Sequence, residues 1–434
     1  MPASPSLLIV PARFKTGKLY TQIATTSAGV VLASSGDFNV TRGTTATRFN
    51  SAGLIESVAS GVPRLDYYTS GGTAGCPALL VEPAGTNFAR GVGLLDTPTP
   101  ATASGGITVT TGSTDFLAPD GTSGSITKYV GGAASGFNFI EYVSSTSVTT
   151  AGVHTFSAFV KAGATNPLNF CALQFTAFTA ASGTGTSYFS LASGTALTTG
   201  ASIQNYGNGW YRIISAPYTI ASGDLNGSIR LYFAEGDNDG SFPASGALNL
   251  TLYAWGIQLE AGSVATSYIP TTTASATRNA DNISLSGAVS GCIGQTEGTI
   301  YAEFEIRSDT TTRRLLTLSD GSQINRVMLV YSSNALRAQI QGTTISLGNP
   351  ADGYHKVAFA YQQSGVSGTL FASLDGAAIV SGTTAGTFPS VLNTINVGKI
   401  EDTATTSQWN ARIRSAALYT TRLTNAELAA LTTL

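Results

Sequence analysis

Thr299-Ile300-Tyr301-Ala302-Glu303-Phe304-Glu305-Ile306-Arg307 alternates over its whole length. Ile300, Ala302, Phe304 and Ile306 fall on one side, and Tyr301, Glu303, Glu305 and Arg307 on the other. A period of two is that of a strand with one face in a core; a helix would need apolar residues three and four apart. The same period recurs outward along the chain. Val357, Phe359 and Tyr361 alternate with Lys356, Ala358 and Ala360. Phe156, Ala158 and Val160 alternate with Thr155, Ser157 and Phe159, and Leu248 to Leu252 alternates ahead of Trp255. Ile229 to Phe233 is a further short apolar run. Gly, Ser, Asn and Asp clusters separate these runs, and Asp320-Gly321 and Asp375-Gly376 are hairpin turn pairs. The expected fold is all-β, with antiparallel β-sandwich (jelly-roll) domains.

Composition agrees. Of 434 residues, 42% are hydrophobic and only 11% are charged, and 49 are glycine. That is ample material for several cores, and it excludes a helical bundle, which needs Glu, Lys, Leu and Arg. One helix is expected, at about Asn425 to Leu431. Thr424 and Glu427 form a capping box, and Leu423 and Leu428 occupy the staple positions. Thr/Pro/Ala-rich stretches at Asp96–Pro100 and Pro270–Ala276 divide the chain near 99 and 278. This gives a β-rich N-terminal module at 1–99 and sandwiches at 100–278 and 279–434.

With 22 basic and 24 acidic residues the formal net charge is −2. No basic stripe is interleaved with aromatics, so nucleic acid is not an expected partner. No apolar run approaches 18 residues, so no membrane insertion is expected. Leu7 to Val10 is too short for a secretion signal and precedes Arg13 and Lys15 rather than following them. Cys76, Cys171 and Cys292 are odd in number and far apart, so no disulfide framework is expected.

Three groups of motifs carry resemblances. The first comprises Asp37 to Arg42, Ala46 to Asn50, Gly53 to Glu56, Val62 to Tyr67, Pro77 to Pro83 and Thr86-Asn87. In that order it resembles a signature of tailed-phage fibre and minor structural proteins. The second comprises Phe156 to Lys161, Asn208 to Arg212, Ala254 to Gly262 and Thr266 to Thr271, and it resembles jelly-roll carbohydrate-binding modules. The third comprises Gly353 to Ala358, Ser373 to Gly376, Ala411 to Tyr419 and Arg422 to Leu428. It resembles laminin-G and concanavalin-like lectin sandwiches, although Arg412 and Arg414 stand where that family often has acids. Together these imply a bacteriophage structural protein at the virion surface: a head or tail fibre, or a decoration protein. The N-terminal module would then anchor or oligomerise, a homotrimer is implied by analogy with fibres, and the partners are other virion proteins and host-surface glycans. The rival expectation is a secreted polysaccharide hydrolase with accessory binding modules.

Enzyme chemistry is not expected. His154 and His355 are the two histidines and sit at strand starts. No phosphate loop, nucleophile elbow or paired-cysteine zinc pattern occurs. Glu303 and Glu305 share a face and are the best pair for a glycosidase, which needs two carboxylates around the bond; the competing reading is a solvated outer face. Glu235, Asp237 and Asp239 alternate like the start of a calcium loop and are the candidate metal ligands, with calcium as the candidate cofactor. Position 12 of that pattern is Gly246, which excludes an EF-hand; the alternative is a polar turn. Trp210, Tyr232 and Trp409 are candidate glycan contacts because sugar rings pair apolar faces with polar rims; core packing is the alternative for each.

Overall fold

The computed structural model describes residues 4–23, 37–89, 102–143, 151–178, 182–224, 227–243, 246–272, 274–287, 291–307, 311–384, 388–389, 391–400 and 407–434. The expected linker at Asp96–Pro100 lies outside them. Among the described residues the chain is nearly all antiparallel β, with one α-helix at Asn425–Thr432. That helix has both halves of the expected capping box. Leu423, just before it, and Leu428, on its inner face, are buried. Asp375 and Gly376 have φ of 51° and 73° and form a tight turn closed by the Ala377 amide donating to the Leu374 carbonyl at 2.9 Å, but it lies within a longer connection, since the flanking strands pair only from Ala372 and Val380.

The middle sandwich packs two sheets. One runs Thr102–Ala103, Gly136–Val143, Ser228–Ala234, Phe170–Thr176, Gly185–Ser190, Thr195–Ala196, with Ser241–Phe242 beside Gly136–Val143. The other runs Thr108–Ser113, Ile126–Val130, Thr251–Ala261, Gly152–Ala162, Tyr211–Ile214, Ser202–Asn205. Their facing side chains, Tyr142, Phe156, Leu173, Leu231 and Leu259 among them, form one core. The strand expected from Leu248 begins only at Thr251: Asn249 has φ 63° and Leu248 is exposed, so this alternation is a turn.

The second sandwich is not confined to the C-terminal third. Leu7, Leu8 and Ile9 pair with Leu418, Ala417 and Ala416. Leu79, Leu80 and Val81 pair with Ile413, Arg412 and Ala411 on the same strand. In the opposite sheet Asn39, Val40 and Thr41 pair with Ser284, Ile283 and Asn282. Leu7, Phe38, Val40, Leu65 and Val81 share a core with Ile300, Phe304, Phe359 and Ile413. The strands before 89 therefore do not pack as a module of their own: they supply edges that the strands after 278 leave open.

Several residues of the first motif group, among them Arg42, Arg64, Asp66, Glu82 and Asn87, are buried polar groups at the junction. Arg64 donates to Glu82 at 2.7 Å, to the Ser267 hydroxyl at 2.7 Å and to the Thr47 carbonyl at 3.1 Å, and it also pairs with Asp281. Arg42 reaches Asp281 at 2.9 Å and the Ala59 carbonyl at 2.6 Å. Asn87 donates to the carbonyls of Ile257 and Ile269, each at 3.0 Å, and accepts from the Leu259 amide. Arg412 reaches Asp66 at 2.6 Å and Glu305 at 3.0 Å. Buried charges persist only when paired in this way.

Glu82 and Glu305 are held well below the usual carboxylate range. Burial alone would raise both, but Arg64 and Arg278 overcome it at Glu82, and Arg307 and Arg412 bring Glu305 down to about 2. Groups depressed in the folded state stabilise it above their unfolded pKa of roughly 4.3 and lose that contribution as pH falls through the folded value. Thermal stability is therefore expected to fall from about pH 5 towards pH 2, by on the order of 2–3 kcal/mol from Glu305 alone. A melting temperature unchanged from pH 6 to pH 3 would contradict this.

Candidate functional site

The core-facing residues of Gly136–Val143, Ser228–Ala234, Phe170–Thr176 and Gly185–Ser190 leave their alternate neighbours on the outer face of the sheet. Strand register lines these up in two adjacent rungs. One is Phe139, Tyr232, Ala172, Tyr188; the next is Glu141, Arg230, Gln174, Thr186. Direct cross-strand neighbours are close enough for their side chains to touch.

The first rung is aromatic. Phe139 and Tyr232 lie 5.0 Å apart at a tilt of 38°, and Phe137 meets the Tyr232 ring edge-on at 6.2 Å. Tyr232 is buried at 6% exposure, whereas Phe137 is 59% exposed and Phe139 and Tyr188 are half-buried. Tyr232 thus forms the floor, and the accessible ring surface belongs to the other three.

The second rung is polar and internally bonded. Arg230 pairs with Glu141, donates to the Tyr232 hydroxyl at 3.1 Å, and lies over the Phe139 ring at 4.1 Å. Gln174 donates to the Thr186 hydroxyl at 2.9 Å. A fixed guanidinium fork, a carboxylate, an amide and a hydroxyl thus sit beside ring faces. Such a surface can stack on an apolar ring face and hydrogen-bond its rim.

The acidic loop closes one end of this face. Its turn is fixed by the Glu235 amide donating to the Asp239 carbonyl at 2.9 Å, by the Ser241 amide donating to the Asp239 carboxylate at 2.9 Å, and by Asn238 at φ 55°. Gly240 packs against the aromatics: a Cβ added there would lie 3.6 Å from the Phe137 and Tyr232 rings and 3.7 Å from the Tyr188 hydroxyl. The Tyr188 hydroxyl is pushed up by burial first, then by Tyr232, Asp239 and Asp237. Glu235, Asp237 and Asp239 are all exposed, and among the described residues no three acid, His or Cys side chains gather as a metal cage. The loop is a tight turn in which Asp239 spends its carboxylate on the Ser241 amide.

The other sequence candidates lie elsewhere. Trp210 is buried, and its indole donates to the Leu117 carbonyl at 2.9 Å. Trp409 is buried edge-on against Phe304 at 5.5 Å. Glu303 is paired with Arg414 at 3.1 Å, and Glu305 with Arg307 and Arg412. The arginines that depart from the lectin-like pattern therefore face acids on the neighbouring strand. Sequence reading did not single out Phe137, Phe139, Tyr188 or Arg230. The available signal was the alternation Phe137, Phe139, Glu141 against Asn138, Ile140, Tyr142.

No protein-family model matches the chain, and no characterised protein matches it significantly in sequence. Among solved structures it is similar to the CBM40 module of the Ruminococcus gnavus IT-sialidase bound to α2,6-sialyllactose. That match has 19% identity over 32% of this chain and 84% of that one, with a TM-score of 0.28. It is similar to the NanB sialidase of Streptococcus pneumoniae at 12% identity over 35% of this chain and 26% of that one, with a TM-score of 0.28. It is also similar to domain 4 of AbnA, a Geobacillus stearothermophilus arabinanase, in complex with arabinotriose. There the identity is 14% over 35% of this chain and 73% of that one, with a TM-score of 0.27.

Proposed function

We propose that the chain is a non-enzymatic structural protein of a bacteriophage particle, a head or tail fibre or decoration protein, that presents a glycan-binding face at the virion surface. The observation that carries the binding half is the pair of adjacent rungs, aromatic and polar, on the outer face of the middle sandwich. The phage half rests on the signature in residues 37–87, and the homotrimer on the same resemblance. Catalysis is left out of the reading because Glu303 and Glu305, the best carboxylate pair in the sequence, are each held by arginine.

The full chain is expected to bind members of a panel of immobilised oligosaccharides and to scatter light as three times 44.4 kDa. Tyr188→Ala and Gln174→Ala are each expected to weaken binding about tenfold, the loss of one stacking or hydrogen-bonding partner, with the melting temperature unchanged. Absence of binding to every member would overturn the glycan reading, and a stable monomer would overturn the trimer.

A further inference from the structure

We infer that the aromatic face selects uncharged saccharides and rejects those ending in a carboxylate; this rests on the reading of that face as a glycan site. The seven strands of the sheet carry one base, Arg230, and one acid, Glu141. These two are paired with each other, and their side chains are only 23% and 16% exposed. Arg230 also spends a nitrogen on the Tyr232 hydroxyl. Its charge is therefore compensated before any ligand arrives, and the strands offer no second cation to receive a carboxylate.

The rim has the opposite sign and no compensation from those strands. Glu235, Asp237 and Asp239 are exposed within five residues, and Gly240 brings their loop against Phe137, Tyr232 and Tyr188. The whole chain has a formal charge of only −2, so three exposed acids at one rim, faced by no base of those strands beyond the paired Arg230, are a local concentration. A ligand carboxylate about 9 Å from each would lose roughly a factor of two per acid in a water-like dielectric, about tenfold in all. The hydroxyls of a neutral sugar meet no such repulsion, while the stacking surface and the amide of Gln174 remain available to them.

The test uses immobilised oligosaccharides in matched pairs, identical except for a terminal sialic acid. The wild-type chain is expected to bind the neutral member of a pair about tenfold more tightly at low salt. The gap should close in 1 M salt, where the Debye length is about 3 Å. In the triple variant Glu235→Gln, Asp237→Asn, Asp239→Asn, sialylated members should gain affinity while neutral ones hold theirs. Equal or tighter binding of sialylated members by the wild type, or a gap that survives the triple substitution, would overturn the charge selection and leave the glycan face standing. Failure of the wild type to bind either member of every pair would overturn the glycan reading itself.

Discussion

Arg64→Ala is expected to destabilise the protein by about 3–5 kcal/mol, the range for removing one partner of a buried ion pair. Arg64 is 1% exposed and serves Glu82 and Asp281 at once. Its removal strands two buried carboxylates, and Arg42 and Arg278 are the cations left beside them. Both carboxylates flank strands of the second sandwich, Glu82 after Ala74–Val81 and Asp281 just before Asn282–Ser286, while Arg64 and Glu82 also hold Ser267, six residues beyond the middle-sandwich strand Thr251–Ala261. The damage should therefore reach both sandwiches together. Arg64→Lys keeps the charge but loses the fork that reaches both acids, and should fall between wild type and alanine. Denaturant unfolding of the three proteins decides it. A cost below about 1 kcal/mol for alanine, typical of an exposed pair, would show that the network is not what joins the sandwiches.

Residues 279–434 expressed alone are expected not to fold, whereas the same fragment together with residues 1–89 should. Without the N-terminal strands, Ala411–Tyr419 loses its partners along one edge at both 411–413 and 416–418. Asn282–Ser286 loses Phe38–Thr41. Leu7, Phe38, Val40, Leu65, Leu79 and Val81, each at most 2% exposed, leave the core. At roughly 2–5 kcal/mol per large aliphatic side chain, their loss exceeds the 5–15 kcal/mol that a domain has to spare. By contrast, the core of the middle sandwich is drawn from residues 89–259. A fragment of 87–272 should melt cooperatively without the rest. A folded 279–434 fragment, shown by a cooperative melt and dispersed amide signals, would refute this account.

Much of the secondary structure was legible because it is local. The alternation at 299–307 and the capping box at Thr424 each involve residues within one element, and both occur as expected. The failures share a cause. Tyr232 stands in the sequence as one candidate glycan contact among three, yet its meaning comes from Phe139 and Tyr188, which register brings beside it from 93 and 44 positions away. Arg42, Arg64 and Asp66 are visible as motif letters, but nothing local says that they pair with Asp281 and Arg412 across more than 200 residues. Trp210 and Trp409 were ambiguous for the opposite reason. A tryptophan suits a core as well as a sugar, and only burial separates the two.

The strand Ala411–Tyr419, bordered by two N-terminal strands, fixes an order of events during synthesis. Leu7–Ile9 leaves the ribosome some 400 residues before its partner exists, which at about 5–20 residues per second is roughly 20–80 s. For all that time its edge is an open template for neighbouring chains. The middle sandwich can close meanwhile, since it needs nothing translated later. Closure waits for Ala411–Tyr419, so a chain broken off before that strand keeps a finished middle sandwich and carries an unclosed second one.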